Sequence, residues 1–221
     1  MEDTSNKFIL VNKIPALHLA ANNDELRPAQ GFIRFLNGYA ACTNGHLIVI
    51  AKTSDIFPES FAEQLEGCFI HASGYKYLYD RAKKGMCCGE ITDEGIVINI
   101  DEDHTHVVHL FTEHTLAARY NQTKKNFPNW ESLWNNAAKK AADESLFEYW
   151  IQINPTFIAT IHSIFGSPND GMKIRPTGEG NPILISSMTM TWNTMYAIVM
   201  PMAKTQTEFQ FTEVPNSIPQ L

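Results

Sequence analysis

Residues 39–50 read YAACTNGHLIVI. Two apolar runs, 39–42 and 47–50, flank Thr43, Asn44, Gly45 and His46. Asn-Gly is a strong short-range hairpin signal, because both residues tolerate the positive φ that a type I′ turn needs. The stretch therefore predicts two paired strands with a polar tip carrying Thr43 and His46. The second run, Leu47-Ile48-Val49-Ile50, has no polar alternation, so it reads as a strand buried on both faces. By itself His46 reads as a turn residue hydrogen-bonded within its own loop.

Outward from this hairpin the chain repeats a unit. Residues 7–11 form a short strand, and Asn12 caps a helix expected over 13–21, with Pro15 in its first turn. Strands follow at 31–36, 39–42 and 47–50, then a connection over 53–66. The unit recurs as a strand at 67–70, a helix at 72–84 with Gly85 as its C-cap, and strands at 88–92, 96–100 and 106–111. Tyr75, Leu78, Tyr79 and Ala82 give that helix one apolar face. A polar segment over 135–145 leads to a third copy. It comprises a strand at 147–153, a helix begun by Asn154-Pro155 and closed by Gly166, and strands at 172–175, 182–186 and 195–200. Phe157, Ile158, Ile161 and Phe165 make the apolar face of its helix. Strand, helix, then three strands, three times over, predicts an α+β fold of antiparallel sheets with helices on one face.

Composition bounds the rest. The chain has 221 residues, 44% hydrophobic and 19% charged, as in ordinary globular domains. A net charge of −7 gives no general attraction to nucleic acid or an anionic membrane. No apolar run approaches a membrane span, and MEDTSNK has no secretory apolar core. Cys42, Cys68, Cys87 and Cys88 form no Cys-x-x-Cys pair, so a cytoplasmic protein with free thiols is expected.

No nucleophile elbow, phosphate-binding loop or metalloprotease helix is present, so no enzyme activity and no cofactor is expected. His104 and His106 share a strand face, with His109, Asp101 and Asp103 nearby, but no third ligand stands at a fixed spacing. A solvated strand end accounts for them, and no metal site is assigned.

Three segments carry a family resemblance. Ala41-Cys42-Thr43-Asn44-Gly45-His46-Leu47-Ile48 resembles the A-T-D-G-H-R-L-A segment of the bacterial sliding clamp, the beta subunit of the replicative DNA polymerase. Phe127-Pro128-Asn129-Trp130 is similar to its F-P-D-Y, and Ile198-Val199-Met200-Pro201-Met202-Ala203-Lys204 to its V-V-M-P-M-R-L. The resemblance implies a DNA-clamp-like fold in a shortened form. It divides the chain into a complete clamp-like domain of two half-units (1–125), a linker (126–145), a half-domain (146–204) and a C-terminal tail (205–221).

The same resemblance implies a hydrophobic cleft for short peptides of polymerases and other clamp-binding partners. Its walls are carried over to Thr43, Gly45, His46, Leu47, Ile48, Pro128, Leu133, Ile198, Met200, Pro201 and Met202. Leu47 stands where the family has Arg, and Ala203-Lys204 where it has Arg-Leu, so polar contacts to a peptide differ. Methionines adapt to varied side chains and no charge intrudes, which suits a soft apolar pocket. Lys13, Lys76, Arg81, Lys83 and Lys84 are the residues to face double-stranded DNA. Gln206, Phe209 and Phe211 in the tail are spaced loosely like a clamp-binding peptide. Two functions stay open: a processivity or docking factor on DNA, or a ring-less peptide-binding adaptor or decoy. The third half-unit is expected to leave an open sheet edge, through which two chains pair as a homo-oligomer.

Overall fold

The structure, a computed structural model, describes residues 7–10, 14–22, 27–85, 87–100, 104–120, 127–141, 153–166, 171–178, 180–188 and 195–202. The strands are β1 (Lys7–Leu10), β2 (Phe32–Leu36), β3 (Tyr39–Thr43), β4 (Leu47–Lys52), β5 (Phe69–His71), β6 (Cys87–Thr92), β7 (Gly95–Asn99), β8 (Thr105–Val108), β9 (Leu110–Phe111), β10 (Met172–Arg175), β11 (Ile183–Ser187) and β12 (Tyr196–Val199). The helices are α1 (Thr53–Ile56), α2 (Glu59–Gln64), α3 (Ala72–Lys83), α4 (Glu113–Tyr120), α5 (Trp130–Ala141) and α6 (Pro155–Phe165). None is long and apolar enough to cross a membrane.

Two antiparallel sheets result, ordered β1-β6-β7-β8 and β10-β11-β12-β4-β3-β2-β5-β9. The first two units exchange their opening strands. β1 pairs with β6 of the second unit, while β5 pairs with β2 of the first. The third unit joins through β12, whose Tyr196, Ala197, Ile198 and Val199 register against Ile50, Val49, Ile48 and Leu47.

That junction makes β4 an interior strand buried on both faces, as its unbroken apolar run predicts. Alternation then sends its side chains to two cores. Leu47, Val49 and Ala51 join Cys42, Tyr75, Leu78, Ile161, Phe165, Ile185 and Ala197 in the larger one. Ile48 and Ile50 join Ala41, Leu184, Ile198, Trp130 and Ala137 in the smaller. The helices of the repeated units, α3 and α6, bury their apolar sides in the larger core. Asn154 caps α6 by accepting the Thr156 N–H at 2.9 Å, Pro155 opens the helix, and Gly166 closes it at φ 77°.

Several expectations are corrected. The segment expected as a polar linker contains α5. Its Trp130, Leu133, Trp134, Ala137 and Ala138 recur at helical spacing and cover the face opposite α3 and α6. Asn129 caps it, accepting the Ser132 N–H at 3.0 Å, and Trp134 packs on Tyr196 with ring centroids 4.9 Å apart. The first helix is only a 3-10 turn at Leu17–Ala20. Ile14, Leu17 and Ala20 are still buried in the larger core, so the segment packs on the sheet without a full helix. The strand expected at 106–111 divides at His109, because Val108 ends β8 in one sheet and Leu110 begins β9 in the other. A side chain at Gly95 would meet the Val108 carbonyl oxygen at 2.4 Å, so only glycine fits beside that crossover. Of the strand expected at 147–153, residues 147–152 lie outside the described residues.

The type I′ turn is at Asn37-Gly38, not Asn44-Gly45. Asn37 and Gly38 have φ of 53° and 76° and join Leu36 to its partner Tyr39. Their backbone N–H groups donate to the Glu66 carboxylate at 2.6 and 3.2 Å. The third unit keeps an open edge as expected, but it is built into the rest of the chain. β12 is paired within the chain, and Ile161, Ile164 and Phe165 of α6 are buried. Among the described residues the unpaired edge of that unit is β10.

Two measurements test this architecture. Ile50→Ala should cost about 2–5 kcal/mol in urea denaturation, as a core truncation does. A cost below about 0.5 kcal/mol, the value for surface positions, would mean α5 does not cover that face.

The second is alkaline. Burial pushes the Cys42 thiol up to about 12, and the Cys87 thiol to about 11. An unfolded thiol loses its proton near pH ~8.5. Above that pH the native state holds a proton the unfolded chain has lost, so stability falls with rising pH toward the native value. The slope is about 1.4 kcal/mol per pH unit for each such thiol. Urea midpoints should drop from about pH 8 to about pH 10.5, and less steeply in Cys42→Ala.

Candidate functional site, a cavity at the hairpin tip

The β3–β4 tip is held by its own side chains. Thr43 Oγ1 accepts the Gly45 N–H at 3.0 Å. Asn44 Oδ1 accepts the N–H groups of His46 at 3.0 Å and Leu47 at 2.9 Å. This side-chain turn replaces the expected type I′ geometry and leaves the peptide groups of the tip ordered. β12 reaches it end-on, for the Met200 N–H donates to the His46 carbonyl oxygen at 2.8 Å. The His46 ring lies nearly parallel to Phe157 of α6, 16° between planes and 6.1 Å between centroids.

Beside this tip lies a cavity of about 260 Å³. Thr43, Gly45, His46 and Ile48 of the hairpin, Pro128 and Leu133 around the start of α5, and Ile198 of β12 with Met200 just beyond it line it together. Segments more than sixty residues apart in sequence thus converge on one hollow. Its physical origin is the pairing of Ile48 with Ile198, which share the α5 face of the sheet. α5 starts beside them and leaves the strand ends uncovered.

Three carried-over residues stand apart. Leu47 is fully buried in the larger core, because alternation turns it away from Ile48. Pro201 is half-buried and does not line the cavity, and Met202 is exposed beyond it. Met200 is 38% exposed, an apolar side chain offered at the rim.

Arg27 and Gln30, missed in the sequence, complete the wall. Pro28–Gly31 forms a short 3-10 helix that carries Gln30 against the tip. A side chain at Gly45, where φ is +89°, would meet the Gln30 amide at 3.1 Å and the Arg27 guanidinium at 3.3 Å. No periodicity or motif marks either residue, so only their place in space reveals them. Among the described lining residues there is no carboxylate, and Arg27 supplies the one full charge.

The position of Pro128 is set from β2. Arg34 donates to Glu113 at 2.8 Å and lies over the rings of Phe69 and Phe127, 5.5 and 5.8 Å from their centroids. Phe127 thereby anchors the residue that forms the cavity wall.

The residues expected to face DNA are less concentrated. Lys13 lies outside the described residues. Lys76 is paired with Asp80 one turn along α3, and its hydrogen bond holds the Asp80 carboxyl below the usual range. Lys83 sits 6.0 Å from the Tyr79 ring, Arg81 is half-buried, and Lys84 is exposed. Among the described residues no group of three His, Cys, Asp or Glu is placed to hold a metal ion. Asp101 and Asp103 lie outside them.

No protein-family profile matches the sequence, and no curated protein matches it. Solved structures do. The DNA polymerase III subunit beta from Borrelia burgdorferi, solved in complex with a natural product, is 16% identical with a TM-score of 0.53. That match covers 92% of this chain and 66% of that one. The DNA polymerase sliding clamp from Pseudomonas aeruginosa with ligand is 12% identical, TM-score 0.55, over 90% of this chain and 66% of that one. The C. crescentus beta sliding clamp, with PEG bound to its putative beta-motif tethering region, is 8% identical, TM-score 0.56, over 92% and 67%. The chain therefore has the sliding-clamp fold in a shortened form, and it spans about two thirds of the length of the clamps it matches.

Gly45→Ala tests the tip. It forces a side chain into positive φ and against Gln30 and Arg27, so a stability loss of about 1–2 kcal/mol is expected by thermal or urea denaturation. A neutral or stabilising effect would show that the tip is looser than this hydrogen bonding implies.

Proposed function

We propose that this chain is a non-enzymatic, clamp-like accessory protein of DNA replication or repair that docks partner proteins by a short peptide seated at the hairpin tip. The observation that carries the reading is the convergence of three distant segments on one cavity, aliphatic at its floor and with no carboxylate among its described lining residues, within a sliding-clamp fold. A peptide bound there would set apolar side chains against Ile48, Leu133, Ile198 and Met200, while Arg27 and Gln30 would meet its polar groups. Met200 at the rim adapts to different side chains.

A second reading, a ring-less adaptor or decoy of clamp-binding proteins, draws support from one observation. Two of the three cations of α3 are engaged locally, with Lys76 on Asp80 and Lys83 beside Tyr79. Pairing of two chains would use the β10 edge. Retention on circular DNA that is lost on linearising it supports the processivity reading. No retention, with peptide binding intact, supports the adaptor.

Calorimetry with a clamp-binding peptide tests the docking site itself. The full chain, and a form ending at Met202, should bind it. Met200→Asp should weaken binding at least about tenfold by setting a charge in an apolar site. Tighter binding by the shortened form would support occupation of the cleft by the tail. No binding by either form overturns the cleft.

A further inference from the structure

A second cavity, of about 460 Å³, opens beside the start of α3, where the chain crosses from β8 to β9. Its volume falls among those of small-molecule sites. None of its lining residues lines the hairpin-tip cavity.

Its chemistry is unlike the rest of this acidic molecule. Three imidazoles and a guanidinium converge on it: His71 at the end of β5, His106 of β8, His109 at the crossover and Arg119 of α4. Among the described lining residues there is no carboxylate. Tyr77 and Phe111 add aromatic walls.

Hydrogen bonds and ring contacts order these groups. His71 Nδ1 accepts the Ser73 N–H at 3.3 Å, which leaves its proton on Nε2. Burial, and then the Arg119 charge, lowers the His71 pKa, so this ring is a neutral donor near pH 7. His109 Nδ1 donates to the Glu94 carbonyl oxygen at 3.3 Å. His106 packs on Tyr77 with centroids 3.9 Å apart, and the Arg119 guanidinium lies 5.4 Å from the Phe111 centroid.

Among the described residues the imidazoles do not gather into a metal-ligand set. An anion suits the arrangement. Guanidinium and imidazole N–H groups are the donors that recognise phosphate oxygens, and among the described lining residues no carboxylate opposes one. The aromatic walls suit a planar ring beside it. We propose that this cavity binds a small phosphate ester carrying a planar ring, of the mononucleotide class. The phosphate lies toward the Arg119 guanidinium and the His71 Nε2–H, and the ring packs among Tyr77, His106 and Phe111.

The test is calorimetry on the full chain with adenosine monophosphate, inorganic phosphate and adenosine as separate probes. Saturable nucleotide binding, tighter than that of phosphate or adenosine alone, is the expected result. Arg119→Gln and His106→Ala should each weaken it about tenfold, the loss of one charge-assisted or stacking contact, in variants that still unfold cooperatively. His46→Ala, at the other cavity, should leave it unchanged. Absence of saturable nucleotide binding at millimolar concentration overturns the proposal. So does nucleotide binding that both variants leave intact, or equal affinity for phosphate and nucleotide. Duplex DNA binding lost in Arg119→Gln, without nucleotide binding, overturns it in favour of a nucleic-acid contact.

Discussion

The pairing of β12 with β4 is the contact on which the rest depends. It brings Val199 beside Leu47 and Tyr196 beside Ile50, and so converts the edge of a hairpin into the interior of an eight-stranded sheet. A strand in that position must be covered on both faces. Leu47, Val49 and Ala51 enter the core shared with α3 and α6, and Ile48 and Ile50 need a second cover. α5 provides it. Without α5 the face formed by Ala41, Ile48, Ile50, Leu184 and Ile198 would be an exposed apolar patch.

The candidate cleft follows from the same contact. The ladder runs to the end of β12, and one more bond, from Met200 to His46, ties the chain to the hairpin tip. Ile48 and Ile198 lie side by side at that end, while α5 begins at Trp130 after the turn at Pro128. What remains between strand ends, helix start and the 3-10 helix at Pro28–Gly31 is the cavity. It is a gap in the cover of one sheet face. This explains why its floor is aliphatic and its rim carries a guanidinium, an amide and an imidazole.

Charge is distributed against the average. The net charge is −7, yet both cavities lack carboxylates among their described linings and each holds an arginine. Acidic groups are used elsewhere: Glu66 binds the Asn37-Gly38 turn, Glu113 holds Arg34, and Asp80 pairs with Lys76. Net charge therefore says little about what either hollow accepts, since recognition there is decided within a few ångströms.

The sequence by itself determined the elements whose signals are local. The apolar run of β4, the Asn154-Pro155 start and Gly166 end of α6, and the face of α3 built on Tyr75, Leu78 and Ala82 depend on side chains near in sequence. It also pointed to eight residues that share the hairpin-tip cavity, because three segments carried a family resemblance. Tertiary structure decided what depends on partners far along the chain. Asn37-Gly38 took the type I′ turn because two strands must join there in two residues, whereas Asn44 satisfies its loop with its own side chain. The polar residues of α5 concealed an apolar stripe that gains meaning only against Ile48 and Ile198. Arg27 and Gln30 meet the cleft, and His71 and Arg119 share the second cavity, only because the sheets bring them together. Local propensity carries no record of such distances, and the β4–β12 pairing, between strands about 150 residues apart, sets them.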